Sequence, residues 1–443
     1  MTFIPTLPSS FRSLNDPILK YFLEEICENR KIRSFAERAK AANKSSHAVQ
    51  TFQDRHYLEL AILNILGRKE SKLLLNFPDE QLITDSLFEA AEFISVLKDV
   101  FRQTPSIRKN YLKGHFNSGF DGVMGMIPLA HEINVAHALY KNGFEVEFTE
   151  YGGTAAHDFS VRKGDLAAQV DCKACGGDNG KIFKMAVTDT IYERIKKSVK
   201  SNKDTFDGKI LCLSISDRSK IAKDVPLAAK RTIDSLIKGS QHEEVDGLRA
   251  ELFDFDIGLA NLIKSVESGK AEQKISELVA DYLRMSCGKS DIFPEWHFVP
   301  PPHFLDVTRF ACVFCSPTQV EWRKNAIKVV RQSLSGQLKD CPCPVIFLRY
   351  SDLSDEDVSR AWFANTDVEA GKLNPLDALF HDIVTDPIGK RLCALFFQHR
   401  PRFHESSILG PTGQAQTAGR YPIRSLYNRS HPNSEALKAS MRW

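Results

Sequence analysis

Three short segments between residues 144 and 174 carry strand patterns, and they constrain the fold more than any other feature. Residues 144–148 alternate apolar and charged side chains, which is the period of a half-exposed strand. Residues 158–161 and 166–174 flank Lys163-Gly164-Asp165, and a tight glycine-containing turn between two strand patterns predicts a hairpin. We therefore expect three neighbouring strands in one sheet.

Helical patterns precede and follow these strands. Residues 127–142 have helical periodicity, and Asn142-Gly143 suits a helix end because either residue can adopt the left-handed conformation. Residues 188–201 predict a second helix, and the apolar run at residues 209–215 predicts a fourth strand. The expected order is helix, three strands, helix, strand, which is an α/β fold.

The remainder of the chain predicts further domains, since 443 residues are enough for two or three. We expect a helical N-terminal region, the α/β core, a helical insertion or linker domain, a second α/β block and a basic irregular tail. The second α/β block either extends the first sheet or forms its own domain. The expected bounds of these five parts are 1–115, 116–220, 221–298, 299–400 and 401–443.

Composition and charge exclude some classes of protein. No segment offers the roughly 20 apolar residues of a membrane span, and the first residues lack the pattern of an export signal. Ten cysteines in a chain of this length are most simply reduced thiols, so we expect a cytoplasmic protein without a membrane partner. The formal net charge of +3 is too small to indicate a nucleic-acid partner by itself. Basic residues at 29–44 and 194–203 could contact phosphates, although solvated helix surfaces explain them as well.

One cluster of charged residues is expected beside the predicted hairpin. Asp171 and Lys173 lie two apart on an apolar strand, so they share a face. Asp158 begins the partner strand, and the preceding helix can deliver Glu132. Three carboxylates are the hard oxygen ligands that Mg²⁺ or Mn²⁺ prefers. Such a metal would activate water, while Lys173 would orient that water or help to deprotonate it and would offset charge in the transition state, which predicts phosphodiester hydrolysis.

Several neighbouring residues are weaker candidates. Gln169 faces the same side of its strand as Asp171, and Lys181 and Lys184 follow the strand in a glycine-rich loop, so all three are candidates for substrate binding. His131 and His137 flank Glu132, but we interpret them as histidines of the helix surface.

These motifs resemble the PD-(D/E)XK, or restriction-endonuclease-like, superfamily over about residues 125–216. The resemblance implies that Asp158, Asp171 and Glu132 bind metal and that Lys173 is catalytic. It also implies a DNA substrate, and by analogy a role in restriction or phage defence, with a homo-oligomer or a defence protein as a further partner. His157 occupies the position where the superfamily usually has proline.

Two other interpretations remain open. The first is a nucleic-acid-binding or scaffolding protein that has this fold without cleaving, with Asp171 and Lys173 as an ordinary ion pair. The second is a zinc-stabilised interaction module, in which Cys312 and Cys315 would join Cys341 and Cys343. Positions three apart on a strand face opposite sides, so buried thiols are the simpler interpretation of these cysteines.

Overall fold

The computed structural model describes residues 17–42, 46–68, 80–122, 125–149, 157–175, 183, 185–215, 224–238, 242–256, 258–259, 261, 275–285, 293–298, 310–316, 322–350, 374–399, 402–409, 415–420 and 423–441. The chain divides into two compact units. The first unit is Met1–Ala41, Phe52–Gly177 and Trp322–Trp443, and the second is Ala42–Thr51 and Asp178–Glu321.

The described helices, in chain order, are α1 (Pro17–Tyr21), α2 (Asn29–Ala42), α3 (Ser46–Ile65), α4 (Glu80–Gln103), α5 (Ser106–Gly119), α6 (Ile127–Lys141), α7 (Met185–Ser201), α8 (Lys203–Phe206), α9 (Val225–Leu236), α10 (Ile275–Met285), α11 (Trp322–Ser335), α12 (Pro375–Thr385) and α13 (Ser434–Ser440). The described strands are β1 (Glu145–Phe148), β2 (Phe159–Lys163), β3 (Leu166–Cys175), β4 (Lys209–Ile215), β5 (His242–Val245), β6 (Leu248–Asp254), β7 (Phe293–Phe298), β8 (Phe310–Ser316), β9 (Pro344–Tyr350), β10 (Ala394–His399), β11 (Arg402–Leu409), β12 (Ala415–Arg420) and β13 (Ile423–Tyr427).

The first unit is built on a six-stranded mixed sheet with the order β1-β2-β3-β9-β10-β13. The strands β1, β2 and β3 are antiparallel neighbours. Beyond them, β3 runs parallel to β9, with Asp171 opposite Ile346, and β9 runs parallel to β10. The last strand, β13, is antiparallel to β10. The hairpin at residues 159–175 therefore pairs with β9, a strand that lies far along the sequence at Pro344–Tyr350.

Helices cover both faces of this sheet. On one face, apolar residues of α11 and α12 pack against alternate residues of β9, among them Ile346 and Leu348. The side chain of Arg349 points to the opposite face, where it reaches Glu89 of α4. Helix α6 packs against both α4 and β3 in that second layer. A parallel strand buried on both faces is expected to be apolar almost throughout, as β9 is.

A buried ion pair connects the sheet to the second helical layer. The Nη2 atom of Arg349 lies 2.6 Å from Oε1 of Glu89, and the side chains of this pair are 0% and 1% exposed. The hydroxyl of Tyr57 donates to the other carboxylate oxygen of Glu89 at 3.0 Å. Two charges removed from water are tolerated because each finds a charged or polar partner.

The second unit contains a five-stranded sheet with the order β5-β6-β4-β8-β7. Only β4 and β8 are parallel among its described pairs. Residues of α7 and α9 cover one face, and residues of α10 cover the other. Cys312 belongs to the first of these clusters and Cys315 to the second. The expectation that Cys312 and Cys315 face opposite sides of their strand is confirmed.

The α/β class is confirmed, but the strand order differs from the sequence-based expectation. The predicted fourth strand, β4, belongs to the sheet of the second unit, and β9 takes the place beside β3. The expected boundary at residue 220 is therefore wrong, because the chain leaves the first unit after Gly177 and re-enters it at Trp322. Both β4 and β9 are buried apolar strands, and local periodicity identifies a strand without identifying its neighbour.

Three other expected parts also differ. The 299–400 block is divided, since β8 joins the second sheet while β9 and β10 extend the first. Residues 221–298 are not only helical, because β5 and β6 form a hairpin around Asp246 and Gly247, which have φ values of 53° and 77°. An Asp-Gly pair with positive φ is a strong two-residue hairpin signal. The tail at 401–443 is more regular than expected, with β11, β12, β13 and α13.

No helix in the described part of the chain is long and apolar enough to cross a membrane.

Replacing Glu89 with Gln is expected to destabilise the protein by about 3–5 kcal/mol, because the charge of Arg349 stays buried without its carboxylate. The matched control is Asp382→Asn, which breaks the exposed ion pair with Arg323 and should cost less than about 1 kcal/mol. Urea unfolding followed by circular dichroism measures both. Equal losses in the two variants would contradict a special role for the buried pair.

Candidate active site

Asp171 and Lys173 form the centre of the predicted cluster. They point from β3 toward the layer of α11, and the Nζ atom of Lys173 lies 2.6 Å from Oδ1 of Asp171. The hydroxyl of Ser333, on α11, donates to the other carboxylate oxygen of Asp171. The side chain of Asp171 is 0% exposed, whereas that of Lys173 is 27% exposed. Lys173 is therefore the member of the pair that can reach a substrate.

Asp158 is held beside the same strand. Its Oδ2 atom accepts a hydrogen bond from the backbone N–H of Cys172 at 2.6 Å. The antiparallel register pairs Phe159 with Val170, so the next position along brings Asp158 level with Asp171. Two of the predicted carboxylates thus come together because of the hairpin itself.

Glu132 reaches this region from α6. Its side chain is 13% exposed, and its Oε2 atom lies 3.8 Å from Nε2 of His115. Burial raises the pKa of the Cys172 thiol, and the charges of Asp158, Glu132 and Asp171 raise it further. The charges of all three carboxylates therefore act on this thiol. Because Cys172 and Asp171 point to opposite faces of β3, Glu132 approaches from the other helical layer.

The electrostatic surroundings keep Lys173 protonated. Burial lowers its pKa, but the charge and hydrogen bond of Asp171, together with the charge of Asp158, outweigh burial and raise the pKa above its usual value. A raised pKa favours the expected role of Lys173 as a cation that offsets negative charge over its alternative role in deprotonating water.

Two polar residues of this site escaped the sequence analysis. Gln337, just after α11, accepts a hydrogen bond from the Lys173 ammonium, and Ser333 holds Asp171. Both belong to the segment that re-enters the first unit after the second unit. No local motif marks them, because their proximity depends on the pairing of β3 with β9.

His157 occupies a buried position next to Asp158. Its Nε2 atom lies 3.0 Å from the hydroxyl of Ser160, and its Nδ1 atom lies 3.8 Å from the sulfur of Cys341. Burial lowers its pKa, and the charge of Asp171 only partly offsets this effect. These surroundings disfavour protonation of the imidazole that stands where the resembled superfamily usually has proline.

The structure gives a different outcome for each of the weaker candidates for substrate binding and for the two histidines beside Glu132. The side-chain oxygen of Gln169 accepts from the backbone N–H of Cys343 at 3.2 Å, so this atom serves the fold. Lys181 and Lys184 lie outside the described residues. His131 is wrongly predicted as a surface residue, since it is buried and burial lowers its pKa to about 3. His137 is partly buried, 3.7 Å from a carboxylate oxygen of Asp99.

The donor set suits Mg²⁺ or Mn²⁺ in kind, because Glu132, Asp158 and Asp171 offer only carboxylate oxygens. The carboxylate oxygens of these three residues do not all lie within 4.8 Å of one another. Metal binding would require the carboxylates to move closer together. It would also require the Lys173 ammonium to leave Asp171, which it now contacts. Comparisons with protein-family models, with curated proteins and with solved structures found no match.

The geometry does not support the alternative interpretation of a four-cysteine zinc site. Cys312 and Cys315 belong to clusters on opposite faces of β8, so they cannot bind one ion together. Buried thiols packed in two apolar layers explain both residues.

Replacing Ser333 with Ala is expected to destabilise the protein by about 1.5–3 kcal/mol, because a buried carboxylate loses a hydrogen bond. Ser335→Ala on the same helix is the control, since the Ser335 side chain is exposed and its loss should change stability by no more than about 0.5 kcal/mol. Chemical unfolding of both variants provides the measurement. A Ser333 variant as stable as the control would mean that this hydrogen bond does not support Asp171.

Proposed function

We propose that this protein is a metal-dependent nuclease that hydrolyses phosphodiester bonds, with DNA as its substrate. The observation that carries the proposal is the joint placement of Asp158, Asp171 and Lys173 where β2 meets β3, with Lys173 2.6 Å from Asp171 and Asp158 bonded to the intervening Cys172. These three charged residues would serve one reaction, and they come together although Asp158 precedes β2 and the other two lie on β3.

The fold offers additional support for the resemblance to PD-(D/E)XK nucleases. Helix α6 precedes three antiparallel strands, and the chain later adds α11 and then β9, which is parallel to β3. The second unit is inserted in the sequence between β3 and α11. Without this insertion, the elements α6, β1, β2, β3, α11 and β9 follow the order helix, three strands, helix, strand. This is the order expected for the superfamily, with the fourth strand contributed by a more distant segment than the sequence suggested.

The residues of the candidate site have two proposed roles, metal binding and stabilisation of charge. Asp158 and Asp171 would bind Mg²⁺ or Mn²⁺. Glu132, which approaches β3 from the layer of α6, would complete the ligand set only after a rearrangement. When bound, the metal supplies Lewis-acid chemistry and lowers the pKa of water. Lys173, held by Gln337, would approach the scissile phosphate and offset the negative charge that develops as water adds to phosphorus and the ester oxygen departs.

Exposed cations provide weaker support for a nucleic-acid substrate. On α7, Arg194, Lys197 and Lys200 are exposed, whereas Lys196 lies 3.8 Å from Glu193. On α2, Lys31 pairs with Asp121 and Arg38 donates to the carbonyl of Phe120, so part of that basic segment serves the fold. The remaining exposed cations are available for phosphate contacts. A role in restriction or phage defence is proposed from the superfamily resemblance alone.

A second candidate function is nucleic-acid binding without cleavage. The observation that favours it is that both oxygens of Asp171 already accept hydrogen bonds, from Lys173 and from Ser333, inside a fully buried position. A carboxylate used in this way stabilises the fold without a metal.

A cleavage assay distinguishes these two functions. The wild-type protein is incubated with supercoiled, linear and single-stranded DNA and with RNA, in Mg²⁺, Mn²⁺ or EDTA. We expect metal-dependent cleavage of DNA, and Lys173→Ala should reduce the rate by about 100-fold or more, since it removes a cation that stabilises the transition state. Lys328→Ala, at an exposed position of α11, should cleave like the wild type.

Binding is measured in parallel by fluorescence anisotropy on the same substrates. Metal-independent binding without cleavage would support the second candidate and reject the nuclease. Equal cleavage by the wild type and Lys173→Ala would reject the assigned role of this lysine. Thermal unfolding of each variant ensures that a lost activity is not a lost fold.

A further inference from the structure

A second group of potential metal ligands lies where the strands β9 and β10 of the main sheet begin. One ligand atom from each of Cys343, Cys393 and His431 lies within 4.8 Å of the other two. Both cysteines are fully buried, and His431 is half-buried. We refer to these three residues as the Cys2His cluster. In the part of the chain that the structure describes, this is the group that meets this spacing.

The backbone of the first unit brings these residues together. Cys343 immediately precedes β9 and Cys393 immediately precedes β10, and the parallel pairing of these strands aligns their starts. The N–H of Cys393 donates to the carbonyl of Pro344 at 2.8 Å. The two cysteines are therefore neighbours at the ends of two central strands.

A turn after β13 adds the histidine. The N–H of Asn428 donates to the carbonyl of Cys393 at 3.0 Å, and the side chain of Asn428 donates to the carbonyl of Leu392 at 2.9 Å. The N–H of His431 then donates to the carbonyl of Asn428 at 2.9 Å. These bonds fix His431 relative to Cys393 through the backbone, so the cluster is preorganised.

The polar contacts within the cluster suit a metal centre. The sulfurs of Cys343 and Cys393 lie within 4.8 Å of each other and of a ring nitrogen of His431. The Nδ1 atom of His431 accepts a hydrogen bond from the backbone N–H of Asn433 at 3.2 Å. Coordination at Nδ1 would replace this bond. A backbone carbonyl that accepts from the other ring nitrogen would orient the ring, and the carbonyl of Pro342 is a candidate for that role.

Another pair of cysteines provides a contrast. The sulfurs of Cys212 and Cys315 are 3.5 Å apart in the second unit. Their surroundings are apolar, with Val313 and Leu283 in the same core cluster. This pair belongs to no group of three potential ligands among the described residues. Apolar packing therefore explains the contact between the sulfurs of Cys212 and Cys315. The Cys2His cluster differs from this pair because it includes a third potential ligand, His431.

We propose that Cys343, Cys393 and His431 bind one Zn²⁺ ion. Two thiolates and an imidazole are ligands that Zn²⁺ prefers, and three protein ligands leave a fourth position for water or a small ligand. Binding would release the two thiol protons to solvent. The ion would connect the starts of β9 and β10 to the turn after β13. This site is independent of the proposed nuclease function, and it has different residues and a different preference for metals.

The test measures zinc in the full-length protein purified without chelators. Inductively coupled plasma mass spectrometry should find about one zinc ion per chain in the wild type and a loss of zinc in Cys343→Ser and His431→Gln. Cys212→Ser is the matched control, because it also removes a buried thiol beside another sulfur, and it should retain zinc. Equal loss of zinc in the control, or a wild type without zinc that does not take up added Zn²⁺, would overturn the proposal.

Cobalt substitution supplies a readout that does not depend on variant stability. Co²⁺ added to the metal-free wild type should produce the ultraviolet charge-transfer band of thiolate ligands, and Zn²⁺ should abolish this band. Mass spectrometry of the alkylated protein checks the redox alternative, since a disulfide between Cys343 and Cys393 in the isolated protein would overturn the metal assignment. These results are independent of DNA cleavage, so failure of either proposal is recognised separately.

Discussion

The parallel pairing of β3 with β9 is the contact on which the described geometry of the first unit depends. It places Asp171 opposite Ile346, although the residues of the second unit separate them in the sequence. It also brings α11 over the face that carries Asp171 and Lys173. The entropic cost of closing a loop grows only slowly with its length. A compact unit with its own sheet can therefore be inserted in the sequence between two strands that pair with each other. The same pairing places Cys343 beside Gln169.

The electrostatics of the site follow from the complete burial of Asp171. A buried carboxylate is costly unless it is paired, and here Lys173 and Ser333 supply the partners. The interactions that stabilise the metal-free fold are thus the ones that a divalent cation would have to rearrange. In the proposed nuclease, displacement of the Lys173 ammonium from Asp171 would link metal binding to the release of a cation toward the phosphate. The partial exposure of Lys173 is compatible with such a movement.

Local patterns were enough to predict α6 and the three strands beside it, because periodicity, a helix-ending glycine and a tight turn all act within a few residues. The alternation of β3 also predicted that Asp171 and Lys173 share a face. The neighbour of β3 could not be predicted, since β4 and β9 are equally apolar. Ser333, Gln337 and the Cys2His cluster were missed for the same reason, as each meets its partners only through strand pairing. The Asp246-Gly247 turn differs, because an Asp-Gly pair is a local hairpin signal and therefore lies within reach of sequence-based prediction.

The two proposed metal sites differ in chemistry, and this difference allows them to coexist in one unit. Carboxylate oxygens suit Mg²⁺ or Mn²⁺, whereas two thiolates with an imidazole suit Zn²⁺ and are poor ligands for Mg²⁺. They are connected through the backbone, since Gln169 bonds to Cys343 by both its N–H and its side-chain oxygen and stands two residues before Asp171. The Cys2His cluster thus depends on the same pairing of β3 with β9 as the carboxylate cluster, although its ligands and its test are separate.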